Sequence, residues 1–407
     1  MVGGMMSPAE AEKRIQEAMP EWPREDCPLA KAHGRVLREE IRADRDFPPF
    51  DRAILDGYAF RASSLAAGNR VFRVEAMQPA GVAAVALGPK PDACVEIMTG
   101  AVIPDGADCV AGYEDTARDG AFVTIAESPG KIVPGSAVHR RGSDRRAGEG
   151  IVPARTRLTG REIAVAAACG CAVVSVGRGP RIAVVATGDE RVEVEAVPAP
   201  HQIRRSNEYA LCAALAGGGY PDAEVHSWRD DPAEMEKGLR RVRSQCEVVI
   251  FTGGVSKGKF DHLPVQLEKQ GVANVFHGVA QRPGKPFWFG IGPGGAPVFA
   301  LPGNPVSSYV CLHRYVLPAL DRACGLAPES RRTAALASPV ASKHKLACLM
   351  PVRISSGPRA ELLAEPVPGN TSGDFAGLVG TDGFVELPAS ESDFPAGYLA
   401  IFYPWMR

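Results

Sequence analysis

Between residues 177 and 327 the chain keeps one rhythm: an apolar run of strand length, a polar loop, then a segment of helix length. "PRIAVVATGDE" leads into "SNEYALCAALAGGG", and "DAEVHSW" into "DDPAEMEKGLRRVR". "CEVVIFTGG" leads into "DHLPVQLEKQG", and "APVFALPGNP" into "VSSYVCLHRYVLPALDRACG". The helical segments carry start and stop signals. Ser206 reads as a cap and Gly217 as a stop. Asp231 reads as a cap, with Pro232 at the first helical position and Glu234 placed to close a capping box. Strands this apolar must be covered on both faces, so the alternation implies a mostly parallel sheet between helical layers. Ligands of such sheets bind beyond the carboxyl ends of the strands.

The remaining 256 or so residues are organised differently. A chain of 407 residues is too long for one core. Residues 1–47 and 145–176 read as a discontinuous linking and dimerisation domain. It opens on the helix "SPAEAEKRIQEAM" and closes on a second helix begun by Thr159 and ended by Gly170. Residues 48–144 show short β-like runs broken by Gly, Pro and Asp, a small β-rich domain. Residues 177–327 form the α/β domain, and 328–407 are again short strands, a C-terminal barrel or sandwich.

Composition narrows the function. A net charge of −1 leaves no basic face for a long nucleic acid. No run reaches the roughly 18 apolar residues of a membrane span. The ten cysteines are scattered without a CxxC pair, which fits reduced thiols in a cytoplasmic protein. The histidines show no zinc spacing.

Three loops that follow α/β strands carry chemistry. "ATGDER" holds Asp189 and Glu190. "FTGGVSKGKFD" holds Gly253, Gly254 and Ser256, whose backbone and hydroxyl suit an oxyanion, and then Asp261. "ALPGNPVSS" holds Pro302, Asn304, Pro305 and Ser307 at a helix start, where free amides favour anions. A fourth segment, "QRPGKP", sets Arg282 and Lys285 three positions apart on backbone stiffened by Pro283 and Pro286. Each has a plainer reading as well: a tight βα turn, a helix cap, a solvated pair of cations. Their placement at equivalent strand ends favours one shared anion site. Carboxylates beside it suit Mg²⁺, which takes one or two of them with phosphate oxygens and water. Asp189, Glu190, Asp230 and Asp261 are the candidates.

Five segments, in order, resemble the molybdopterin molybdenumtransferase (MoeA) family: "FDRAILDGYAF", "IMTGAVIPDGADCVAGYED", "TGGVSKGKFDHLPVQLEKQG", "GVAQRPGKPFWFG" and "LPGNPVSSYV". The resemblance spans essentially the whole chain. It implies an α/β domain of the MogA-like molybdopterin-binding type, a β-rich second domain, a linking domain and a C-terminal β-barrel, in a homodimer. It also implies Mg²⁺-dependent insertion of molybdate into adenylylated molybdopterin with release of AMP, and contact with the molybdopterin adenylyltransferase. On the matching positions, Asp56 and Thr99 face the cleft of the other subunit. Glu190, Asp230 and Asp261 are acidic cleft positions and the Mg²⁺ ligands. Arg282, Lys285, Pro286 and Ser307 form the oxyanion socket, which Ser372 and Arg353 extend.

The chain departs from the family at a few positions. Arg52 and Ala53 stand where Asn and Ser are usual after "FD". Arg282 stands for a Lys, a planar fork in place of a point donor. Gly278 stands where a Lys is common, leaving the cleft one cation short unless His277 or Lys257 replaces it. These departures keep a second reading open: a paralogue that carries or scaffolds the pterin without inserting the metal.

Overall fold

A computed structural model describes residues 5–126, 131–255, 262–328, 330–342, 344–369 and 371–406. The chain forms two compact units. One comprises Met1–Glu39, Ala154–Ile163 and Val173–Arg407, and the other Glu40–Pro153 and Ala164–Ala172.

The core of the first unit is the expected α/β sheet. Every residue of Ile182–Thr187, Val248–Thr252 and Pro297–Leu301 is buried. Alternate side chains enter two separate cores. Ile182, Val184, Ile250 and Phe299 face one, while Val185, Val249, Phe251 and Ala300 face the other. Each such side chain, fully buried, contributes about 1.5–3 kcal/mol, so period-2 placement on both faces locks the register. The strands run in the order 224–228, 182–187, 248–252, 297–301, 288–291, 273–277. The first four are parallel. Trp288–Ile291 is antiparallel to 297–301, and Ala273–His277 is antiparallel to that. The strand Ala273–His277 therefore points the same way as the first four. Five carboxyl ends, those of residues 187, 228, 252, 277 and 301, share one edge.

Helix caps follow the sequence in part. Asp231 accepts from the Glu234 N–H at 2.8 Å. Glu234 reaches past the cap to the Arg229 N–H, at 3.3 Å, instead of closing the box on Asp231. Ser206 and Asn304 occupy N-cap positions, yet neither side chain caps. The last helix runs Pro305–Cys311, then a π-helical turn Leu312–Val316, then Leu317–Ala323.

The C-terminal segment is a closed barrel. Ala347–Ser356 pairs with both Leu362–Pro366 and Gly383–Leu387. Gly383–Leu387 pairs with Leu399–Pro404, which pairs with Arg332–Leu336, which returns to 362–366. Its interior holds Leu336, Val352, Ala364, Val385 and Phe402. A buried cation ties it to the rest of the unit. Arg314, 1% exposed, donates to Glu12 at 2.9 Å and to Glu386 at 2.7 Å, and lies over the rings of Tyr315 and Tyr403.

The second unit holds a six-stranded sheet ordered 109–112, 57–60, 93–97, 71–78, 122–125, 116–119. Phe60 and Phe72 pack at 4.8 Å in its core, with Leu65, Val123 and Ile125. Within "GRVLREEIRADRDF" the two-residue strand Ile41–Arg42 is matched to Gly150–Val152. All ten cysteines are free thiols. No described helix is long and apolar enough to cross a membrane.

Candidate functional site

The loops singled out in the sequence leave the shared carboxyl edge of the α/β sheet. After Thr252 the chain turns sharply at Gly253 and Gly254, with φ of +102° and +72°. Both values lie where only glycine is unstrained. The turn is also crowded: a Cβ on Gly253 would stand 2.9 Å from the Thr187 carbonyl oxygen and 3.0 Å from its hydroxyl. The Gly253 N–H donates to the Leu301 carbonyl at 3.1 Å, so the second and third loops are bonded to each other. Asn207 strengthens that junction. Its amide donates to the Thr252 hydroxyl and to the Gly303 carbonyl, both at 2.8 Å. Asn207 directly follows the Ser206 cap position, and a helix-first Asn gives no local sign that it bridges two distant loops. Ser256, Lys257 and Asp261 lie outside the described residues.

The third loop is joined to the barrel. Asn304 donates its side-chain amide to the Ser372 hydroxyl at 2.8 Å, and the Val306 N–H donates to the Ser372 carbonyl at 3.1 Å. Ser372 is thus at the start of the Pro305 helix, where one orphan amide is already satisfied. Ser307 is buried in the first turn, 3% exposed. Pro302 is buried and Pro305 partly so.

The "QRPGKP" loop is clamped from beneath. Gln281 is fully buried, donates to the Pro283 carbonyl at 3.1 Å and accepts from the Tyr315 hydroxyl. The Arg282–Pro283 bond is cis. Gln281–Arg282 forms a short parallel pair with Ala347 and Cys348, so this piece of the loop is an edge of the barrel sheet. Arg282 is exposed, and its guanidinium is bonded to His344 Nε2. Because arginine only donates, that nitrogen is the acceptor of the contact. Lys285 is exposed and Pro286 half-buried. Arg353 lies away from Arg282. It sits five residues beyond Cys348 on the same strand, about 17 Å along it, and donates to the Gly380 carbonyl at 3.3 Å. The basic side chain the barrel brings to Arg282 is His344.

Gly278 has φ of +97°, and its N–H donates to the Phe287 carbonyl at 2.9 Å. It is a turn glycine that closes the base of the basic loop. His277 Nε2–H donates to the Val255 carbonyl at 3.1 Å.

The carboxylates differ in their surroundings. Asp189 pairs with Arg229 at 3.2 Å, both exposed. Asp230 is half-buried and Glu190 exposed. The Glu190 carboxylate folds back over Gly188. The loop beyond Glu190 is anchored by Glu208, 1% exposed, which accepts from Arg191 at 3.2 Å and Arg205 at 2.6 Å.

In the second unit, the structure joins the two residues chosen there. Asp56 Oδ1 accepts from the Thr99 N–H at 2.7 Å and from its hydroxyl at 2.8 Å. These two bonds, the backbone one first, hold the Asp56 carboxyl below its ordinary range. Arg52 turns toward His139 Nδ1 at 3.3 Å, while His139 Nε2 meets Asp144 at 2.8 Å.

Comparison with known proteins bears on the family and the fold. Residues 6–170 match the family model described as the MoeA N-terminal region (domain I and II). Residues 183–322 match a probable molybdopterin binding domain, and 333–405 match the MoeA C-terminal region (domain IV). The chain is 39% identical to a molybdopterin molybdenumtransferase of Synechocystis, over 98% of this chain and 100% of that one. A solved molybdopterin biosynthesis MoeA protein from Pyrococcus horikoshii superposes with a TM-score of 0.77 at 30% identity, covering 99% of both chains. A second, from strain OT3, gives 0.80 at 25% identity over 98% of this chain and 100% of that one. Full-length identity, three family domains in order and the same fold lead to one conclusion: this chain belongs to the molybdopterin molybdenumtransferase family, transferases of molybdenum cofactor biosynthesis.

Proposed function

We propose that the chain inserts molybdate into the dithiolene of adenylylated molybdopterin, with Mg²⁺ and with release of AMP. One observation carries this reading: the basic loop of Arg282 and Lys285 and the Asn304–Ser372 junction leave the same sheet edge as the Gly253 turn and Glu190. Arg282 and Lys285 bind the oxyanion, the guanidinium with its planar fork and the ammonium as a point charge. The Gly253–Gly254 turn shapes the backbone against the phosphates.

The donor set suits a hard cation. Among the described residues no three metal-binding side chains cluster, but Mg²⁺ needs only one or two carboxylates once phosphate oxygens are present. Glu190, with Asp230 beside the same edge and Asp261 beyond the described residues, would hold it. Bound there, Mg²⁺ would neutralise charge on the phosphate oxygens.

The protein acts as a homodimer in this reading. Asp56, kept ionised and oriented by Thr99, is presented to the cleft of the second copy. The adenylylated pterin would be received from the adenylyltransferase that makes it. The turn geometry of Gly278 weakens the carrier alternative, because a glycine with this φ serves the loop whether or not a cation once stood there.

The test is AMP release from adenylylated molybdopterin, with molybdate and tungstate run side by side. Molybdate-stimulated release is expected, reduced at least about ten-fold in Lys285→Ala, as for loss of one charge-assisted contact. Tight pterin binding without AMP release would establish the carrier instead. Undiminished turnover in Lys285→Ala or Asp261→Ala would remove the assigned roles.

A further inference from the structure

The sheet end that carries Asp56 and Thr99 also carries an aromatic side chain that the reading above does not use. Strand Gly57–Phe60 lies between 93–97 and 109–112, antiparallel to both, with Gly57 opposite Ile97 and Gly112. Asp56, Thr99 and Tyr113 therefore leave the sheet at one end. The Tyr113 N–H donates to the Asp56 carbonyl at 3.1 Å, so the two residues are bonded through the backbone.

The Tyr113 ring is held at its far end as well. Its hydroxyl donates to Glu96 Oε1 at 2.7 Å, and Arg118 Nη1 donates to the other oxygen of that carboxylate at 3.3 Å. Tyr58 meets the ring edge-on, 5.5 Å between centroids at 70°. Arg118 in turn lies 5.8 Å from the Tyr58 ring. Burial and the Glu96 bond both push the phenol well above its ordinary pKa. The hydroxyl thus stays protonated and serves as an anchor. Yet Tyr113 remains 37% exposed. A side chain fixed by its backbone, its hydroxyl and a neighbouring ring has little rotamer freedom left to lose on binding. The part of the side chain left open to solvent is therefore held rigidly beside an ionised carboxylate.

We propose that Tyr113 is a stacking platform for a flat heteroaromatic ring bound next to the Asp56–Thr99 pair. The proposal rests on the function proposed above, whose substrate carries two such rings, a pterin and an adenine. Stacking on an aromatic side chain is worth roughly ten- to a hundred-fold in affinity for either ring.

The test uses the full chain and two probes, molybdopterin and AMP, each titrated by fluorescence quenching or calorimetry. Wild type, Tyr113→Phe, Tyr113→Trp and Tyr113→Leu are compared, together with KM and kcat for AMP release. Loss of at least about ten-fold in affinity for one probe in Tyr113→Leu, restored by Phe or Trp, is expected. The loss should fall on KM more than kcat, and the probe affected identifies which ring stacks. Restoration by Phe, which cannot bond Glu96, separates stacking from a merely structural role of the hydroxyl. Equal affinity of wild type and Tyr113→Leu for both probes would overturn the platform while leaving the function standing. A wild type that binds neither probe would overturn both.

Discussion

Gly253 and Gly278 offer a controlled comparison, because they share a backbone conformation and differ in what surrounds them. Their φ values are +102° and +97°. An alanine at either position takes on backbone strain of about 1–2 kcal/mol and recovers about 0.4–1 kcal/mol from a stiffer unfolded chain. At Gly278 the ledger stops there. The nearest atoms to a new Cβ are the Lys285 carbonyl oxygen at 3.7 Å and Met5 Cγ at 3.8 Å, ordinary contacts. A net loss of about 1 kcal/mol follows for Gly278→Ala. At Gly253 the new methyl meets Thr187 at 2.9 and 3.0 Å, one of these atoms being backbone in a fully buried strand. Overpacking adds about 1–3 kcal/mol, so Gly253→Ala should lose about 2–4 kcal/mol. Urea denaturation of the two variants, read as midpoint shifts at constant slope, measures the difference. Equal losses at the two sites would refute the steric account of the Gly253 turn. A gain at Gly278 would refute the strain account altogether. Gly278→Lys carries the same strain, so adding the cation should lower stability even if it raises molybdate affinity.

Three further outcomes are expected. Thr99→Val removes the hydroxyl bond to Asp56 and keeps the N–H bond, so the Asp56 titration midpoint, followed by carboxyl NMR, should rise toward 3.8. Since the folded pKa lies below the ordinary one, the stabilisation from this pair is complete above pH 3.8 and fades as pH falls through the folded value; Thr99→Val should flatten that acid-side dependence. Arg314→Met leaves Glu386 and Glu12 without their buried partner, and a loss of about 3 kcal/mol is expected in denaturant melts, as when one member of a buried pair is removed. His344→Ala frees the Arg282 nitrogen now bonded to the imidazole, so molybdate binding by calorimetry should tighten by about two- to five-fold near pH 8, the range of one modest hydrogen bond; unchanged affinity would show that His344 does not compete for the socket.

Much of this architecture could be read in the chain because it rests on periodicity and on local caps. The all-apolar strands 182–187, 248–252 and 297–301 are unmistakable on both faces, and Asp231 with Pro232 is a local signal that needs no tertiary partner. The carboxyl edge followed from the same pattern, and with it the common placement of Glu190, Gly253, Arg282 and Asn304. What escaped depends on residues far apart in sequence. Asn207 reaches two loops by hydrogen bonds that no spacing records. Asn304 had every local mark of a cap, but Ser372, 68 positions away, takes its amide. Arg353 and His344 are both basic residues of the barrel. Only the register of Arg282 against Cys348 shows which of them adjoins Arg282. At Gly278 the sequence shows a missing side chain, but not the φ of +97° that strains one.

The short pairing of Gln281–Arg282 with the barrel strand has a consequence for how the chain can be divided. Residues 177–327 have the outline of a module with its own six-stranded sheet, one of whose two cores also takes in Ala11, Ile15, Trp22 and Val36. Cut at 327, that module would lose the backbone partner of Arg282, the hydroxyl that holds Asn304 and the carbonyl that holds the Val306 amide. The anion site proposed above would then be unframed on one side. In that reading the last eighty residues are a wall of the proposed site more than a neighbouring domain. A change of specificity between related oxyanions could then arise in the barrel without altering any residue of the α/β loops.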